Sequence, residues 1–217
     1  MFERITRREE ADLFVAWMAI AISFTIIKIA PYGITGPVSR LDPVVMLLYF
    51  GISLITVGIG FILHEMAHKF TAIRYGYWAE FRKDNIMLMI AIVMAALVGF
   101  VFAAPGATVI YSNTGDGRIM TREQNGIISA SGPVVNLLLC IPFLIMVFLG
   151  GISFDSPTYL LRVIGIFGIQ INAMIAAFNL LPISILDGRK VFAWNIPVFL
   201  VLIVASFGTL LASFYLL

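Results

Sequence analysis

His64, Glu65 and His68 are the residues of this 217-residue sequence whose types and spacing point most directly to chemistry. They fall in the run His64-Glu65-Met66-Ala67-His68, an H-E-x-x-H pattern, and the chain has no other histidine. Four residues apart on a helix, two imidazoles share one face and can hold one metal ion. Glu65 lies about 100° around the axis, within reach of a water on that metal. A metal lowers the pKa of such a water towards about 7, and an adjacent carboxylate can take its proton during attack on a carbonyl and pass it to the leaving amine. The chemistry implied is metal-dependent hydrolysis of an amide bond, with zinc as the metal such a pattern usually serves. The plainer alternative is a pair of interfacial histidines with Glu65 facing solvent.

A catalytic zinc uses three protein ligands and leaves a position open for water. With both histidines used, the third ligand has to come from the twelve acidic residues. Glu3, Glu9, Glu10, Asp12 and Asp42 flank the first apolar block, where charge ordinarily sits in water. Asp187 stands apart, at the end of Asn179-Leu-Leu-Pro182-Ile-Ser-Ile-Leu-Asp187-Gly188. Pro182 would end a helix there and Gly188 would permit a sharp turn beside the carboxylate. An ordinary Asp-Gly loop turn accounts for the same residues equally well.

The elements that must carry these groups are written in the composition. Hydrophobic side chains make up 61% of the chain and charged ones 12%, against about 25% charged in soluble domains, and the mean hydropathy is +1.02. The fold expected is a polytopic α-helical membrane protein with apolar blocks at 13–30, 44–68, 86–104, 126–150, 158–181 and 196–217. These lie near the roughly 20 residues needed to cross a bilayer. Residues 1–217 read as a single membrane-embedded domain with a core at 44–190 and peripheral helices at 13–30 and 196–217, leaving no room for an aqueous module. The first block lacks a small-residue cleavage site and is expected to be retained. Pro31, Gly33, Gly36 and Pro37 break it, and Pro105-Gly106 bounds the third. Two short stretches, 77–82 and 107–111, look extended, the second running into the turn-rich residues 112–117. Cys140 lies within an apolar run and is expected to be a buried, inert thiol. The basic residues flank apolar blocks instead of forming a patch with interleaved aromatics, so lipid is the expected surrounding and nucleic acid is not an expected partner.

Charge bias bears on which blocks cross. With six crossings and the N-terminus inside, the fourteen basic residues divide eight inside and six outside; if 86–104 enters and returns on one side, they divide eleven and three. The second arrangement obeys the positive-inside rule. It also puts the end of the second span and the end of the fifth block on the same, cytoplasmic side, so that Asp187 can meet His64 and His68. A re-entrant third block is therefore expected, its non-helical backbone buried in protein or lining a cavity.

On these residues the chain resembles the site-2 protease family of intramembrane zinc metalloproteases. The resemblance rests on His64, Glu65 and His68 with apolar Gly60 to Leu63 before them, on Gly132-Pro133-Val134-Val135-Asn136, and on Asn179, Pro182, Asp187 and Gly188, over about residues 44 to 190. It implies a multi-pass cell-membrane endopeptidase with its active site towards the cytoplasm, which cuts a peptide bond within or near a transmembrane segment of another protein. It further implies one zinc per chain held by His64, His68 and Asp187, Glu65 as general base, and Asn136 and Asn179 as hydrogen-bonding groups for the substrate backbone or the oxyanion. The bland role for the two asparagines is interhelical polar contact. The chain departs from relatives that carry PDZ or CBS domains, and its apolar insert at 86–104 exceeds the short region usual after the zinc motif. Two rival readings differ in kind. A membrane metal-ion transporter would use His64, His68 and Asp187 as a transit site. A rhomboid-like serine protease would use the Ser129-Ala-Ser131-Gly132 run, but it needs a histidine later in the chain.

Overall fold

A computed structural model describes residues 5–31, 33, 42–99, 101, 106–111, 119–183 and 185–216. Gly36, Pro37, Pro105 and the turn expected at 112–117 lie outside the described residues. Among the described residues, seven helices and two strands follow one another: α1 (Arg7–Ile29), α2 (Pro43–Arg74), β1 (Trp78–Lys83), α3 (Asn85–Val98), β2 (Gly106–Tyr111), α4 (Arg122–Leu149), α5 (Tyr159–Asn179), α6 (Asp187–Trp194) and α7 (Ile196–Ser213), the last closed by a 3-10 turn, Phe214–Leu216. Five of them, α1, α2, α4, α5 and α7 with its closing turn, are long and apolar enough to cross a membrane. The protein is a polytopic α-helical membrane protein, and its exposed leucines, isoleucines and valines are surface for lipid. The chain clusters into two compact units, residues 1–58 with 79–109 and residues 59–78 with 110–217.

In the first unit α1 is the organising element. Thr6 caps its N-terminus, accepting from Glu9 N, and the Ser23 and Thr25 hydroxyls donate to carbonyls one turn back, so neither is unsatisfied in an apolar setting. The Trp17 indole N–H donates to the Leu54 carbonyl on α2 at 2.8 Å, against Gly58, where a Cβ would meet that nitrogen at 2.9 Å. Glu9, fully buried, accepts the Phe81 backbone N–H at 3.0 Å. Arg82 pairs with Glu80 and, at 3.8 Å, with Asp12. These bonds fasten β1 to the start of α1.

At the apolar block 86–104, α3 covers Asn85–Val98 and is capped by Gly99 in the left-handed region, φ +71. Fourteen residues reach about 21 Å, short of the roughly 30 Å hydrocarbon core. The backbone of Gly99 closes on Pro31 just beyond α1, whereas that of Gly106 closes on Arg82 and Lys83 of β1. The chain thus leaves β1, climbs beside α1 to its far end, and comes back to pair as β2 with the strand it left.

The second unit packs α4 against α5. Cys140, Phe143, Val147, Ile166, Ile169 and Ala173 form its buried seam. Gly165 and Gly168 allow the close approach: a Cβ at Gly168 would meet the Phe143 ring at 2.2 Å, and one at Gly165 the Phe143 carbonyl at 2.7 Å. Small residues serve this purpose where lipid offers helices no hydrophobic drive to associate. Thr121 and Gln124 form a reciprocal capping box that starts α4, and Gln124 also accepts from the Tyr77 hydroxyl at 2.7 Å. At the opposite end the Arg162 guanidinium donates to Val147 O and Leu216 O, closing the carbonyl ends of α4 and the final turn. α6 lies against α4 and α7 through Val191, Ala130 and Phe199.

Candidate metal centre

The site lies wholly in the second unit and is built by three segments. The C-terminal half of α2 supplies His64 and His68, buried on one face. Their rings stand at 85° with centroids 4.6 Å apart, so the two Nε2 atoms converge to 3.0 Å. α4 crosses this face with Gly132, where a Cβ would fall 2.5 Å from His68 Nε2 and 2.7 Å from His64 Nε2. Only glycine leaves that space.

Asp187 comes from the link between α5 and α7. Its Oδ2 lies 3.0 Å from His68 Nε2 and 3.6 Å from His64 Nε2, while Oδ1 faces Lys190 one turn on at 3.5 Å. The segment is not the loop turn that Asp-Gly suggests. Asp187 opens α6, and Gly188 is demanded by close approach, since a Cβ would meet the Leu180 carbonyl at 2.0 Å. A carboxylate in a first helical turn is favoured by the helix dipole. Burial pushes the Asp187 carboxyl up, but the facing His68 and His64 imidazoles, with Lys190, outweigh it and hold the group below the usual carboxylate range.

The outer nitrogens of the histidines are also occupied. His68 Nδ1 faces the Ile128 carbonyl at 2.7 Å, and a carbonyl can only accept. His64 Nδ1 faces Asn136 Oδ1 at 2.5 Å. Both rings therefore carry a hydrogen at Nδ1 and turn Nε2 to each other and to the Asp187 carboxylate, where a shared proton or a metal ion has to sit. Three lone pairs this close need a positive charge among them. Ligands on a tetrahedral zinc stand about 3.3–3.6 Å from one another, from metal–ligand distances of about 2.0–2.2 Å. Of the observed separations, one at 3.6 Å falls in that range and the two at 3.0 Å lie a few tenths of an ångström inside it. Among the described residues this is the one group of three His, Cys, Asp or Glu whose donor atoms gather within 4.8 Å.

One curated relative decides the family. The protein named "Putative zinc metalloprotease MJ0611" from Methanocaldococcus jannaschii is 38% identical over 192 residues, which are 88% of this chain and 87% of that one. The chain belongs to a family of zinc metalloproteases. No protein-family model matches the chain, and no solved structure does.

The cofactor of this metalloprotease is zinc. Of the residues singled out by sequence, His64, His68 and Asp187 converge. Glu65 is buried beside them and acts electrostatically on His68. The two asparagines part company. Asn136 is fully buried and gives its amide hydrogens to Gly60 O at 3.0 Å and Asn172 Oδ1 at 2.9 Å. It has no N–H left for a substrate carbonyl or oxyanion. Asn179 is half-buried and donates back to Ile175 O at 2.9 Å. Sequence reasoning missed Asn172, although a polar residue inside an apolar span two turns before Asn179 was a readable sign. Ser131 Oγ comes within 3.5 Å of His68 Nδ1 but spends its proton on the Ile128 carbonyl at 2.7 Å, so the geometry does not favour the serine alternative.

Proposed function

We propose that this metalloprotease is an intramembrane endopeptidase of the site-2 type, with zinc held by His64, His68 and Asp187, and that it cleaves a peptide bond within or near a transmembrane segment of another membrane protein. The observation that carries the reading is the convergence of three buried donors from the end of one membrane-length helix and the segment leaving another. Bound zinc supplies Lewis acidity, polarising an oxygen and lowering the pKa of water towards about 7. Glu65 takes the proton of the attacking water and returns it to the departing amine. Gly132 keeps the face above the histidines open for the scissile carbonyl. Asn179 retains an amide hydrogen and its oxygen for the substrate backbone. Residues 1–217 act as one protease domain, with 44–190 as its core.

The same reading places the protein in the cell membrane with its N-terminus and active site towards the cytoplasm, as the basic residues favour.

The test is cleavage of a transmembrane substrate by the purified protein in vesicles, with and without a zinc chelator, beside metal flux through the same vesicles. Chelator-sensitive cleavage that Glu65→Gln abolishes is the expected result. Metal flux without cleavage would replace this reading with transport.

A further inference from the structure

Asn172 was picked out by no motif. It is fully buried in the middle of α5, and both ends of its amide are used. Nδ2 donates to Gly168 O at 2.8 Å, one turn back on the same helix. Oδ1 accepts from Asn136 Nδ2 at 2.9 Å. Asn136, on α4, then presents Oδ1 to His64 Nδ1, on α2. A directed series of bonds therefore runs from the backbone of α5 through two asparagine amides to a histidine of the zinc centre.

The direction of this series is settled by chemistry at each end. Gly168 O and Gly60 O are carbonyls and can only accept, so each asparagine must turn its NH2 towards its glycine. Asn172 then offers an oxygen, which takes the second hydrogen of Asn136. With both hydrogens committed, Asn136 has only its oxygen for His64, which must protonate Nδ1 and leave Nε2 bare. Rotating the Asn136 amide by 180° would set its NH2 against His64 Nδ1 and its oxygen against Gly60 O. Gly60 O and Asn172 Oδ1 together oppose that, each placing an oxygen where the flipped amide would also bring one. Gly60 packs against this arrangement, since a Cβ there would meet Asn172 Oδ1 at 2.8 Å.

We infer that Asn172 is a positioning residue of the zinc centre: together with Gly60 O it locks the Asn136 amide, which selects the Nδ1-protonated tautomer of His64 and so keeps Nε2 available to the metal. The inference rests on the proposed assignment of His64, His68 and Asp187 as ligands. Asn172 acts through Asn136, so its contribution exists only while Asn136 is present. Removing partners one step behind a metal-ligating histidine typically costs 10- to 100-fold in metal affinity.

The experiment uses the full chain in nanodiscs. Zinc affinity is measured by chelator competition, and histidine tautomers by ¹⁵N NMR of the zinc-free protein. Asn172→Leu is expected to weaken zinc binding about tenfold and to give His64 a mixed or Nε2-protonated signal. Asn172→Asp should recover most of the affinity, because a buried carboxyl favours its protonated form and can make both bonds. Asn136→Leu with Asn172→Leu should lose no more than Asn136→Leu alone. Full additivity of the two losses, or an unchanged tautomer in Asn172→Leu, would overturn the inference. Should the leucine variant not fold, Asn172→Ser carries the same comparison. In the unsubstituted protein, His64 bare at Nδ1 overturns the inference outright. His68→Ala and Asp187→Asn serve as separate controls: if they leave zinc bound, the ligand assignment fails, whatever Asn172 does.

Discussion

At the residue scale, the separation of tasks between Glu65 and its neighbours sets the first prediction. Glu65→Gln keeps a buried side chain of the same size while losing the ability to accept a proton, so zinc content should stay at one per chain while cleavage falls by at least about 100-fold, the low end of a general base's contribution. His64→Ala with His68→Ala should remove the metal; metal analysis of the purified variants distinguishes the two cases, and unchanged zinc in the double variant would dismiss this site. The second prediction concerns Gly132. An alanine methyl would stand 2.5 Å from His68 Nε2 and 2.7 Å from His64 Nε2, in the space between the ligands. Gly132→Ala should therefore weaken zinc at least about tenfold, the scale seen on disturbing a group one step from the metal, although it removes no polar atom. Chelator competition measures it, and affinity unchanged within twofold would show that the metal lies elsewhere. His64, Glu65 and His68 were legible because one helical turn brings them together from sequence alone. The duty of Asn136 was not, because its bonds depend on Gly60 and Asn172, which only the packing of three helices brings within reach.

At the element scale, the long helices were legible and the short ones were not. Expected spans at 126–150 and 158–181 correspond to Arg122–Leu149 and Tyr159–Asn179, because apolar length is itself the physical requirement. α6 escaped the same logic: its eight residues, Asp187–Trp194, mix charge with apolar groups and are defined by contacts with α4 and α7. The block at 86–104 misled in the other direction, for unbroken hydrophobicity conceals the stop at Gly99, where a left-handed φ ends α3. The α4–α5 seam yields the third prediction. Gly168→Leu would drive a side chain into Phe143 and push the helices apart, at a cost of about 1–3 kcal/mol from overpacking. Asn136 and Asn172 face each other across that same seam, so zinc affinity should fall together with the thermal midpoint, though Gly168 touches neither the metal nor its ligands. A variant with a lowered midpoint and full zinc affinity would show the seam and the centre to be independent.

At the scale of the whole molecule, the proposed topology, five crossings with a returning third block, sets which segments should share a side of the membrane. Cysteines placed singly at 84, 119 and 189 in a Cys140→Ser background should react from one side of the membrane with an impermeant reagent, and one at 155 from the other. Position 119 reacting with 155 would make the third block a crossing. The final prediction concerns the substrate. A transmembrane helix holds its carbonyls in hydrogen bonds to the residue four places on, so water activated beside Glu65 cannot approach one until the helix opens locally. In lipid each backbone group so released costs several kcal/mol unless another partner is supplied. Pro or Gly introduced near a substrate's cut site should therefore speed cleavage by lowering the cost of opening, and a Leu-rich replacement should slow it. Comparing cleavage rates at matched binding isolates that step. Rates indifferent to both changes would mean that unwinding does not limit the reaction, and that the substrate reaches Glu65 already extended.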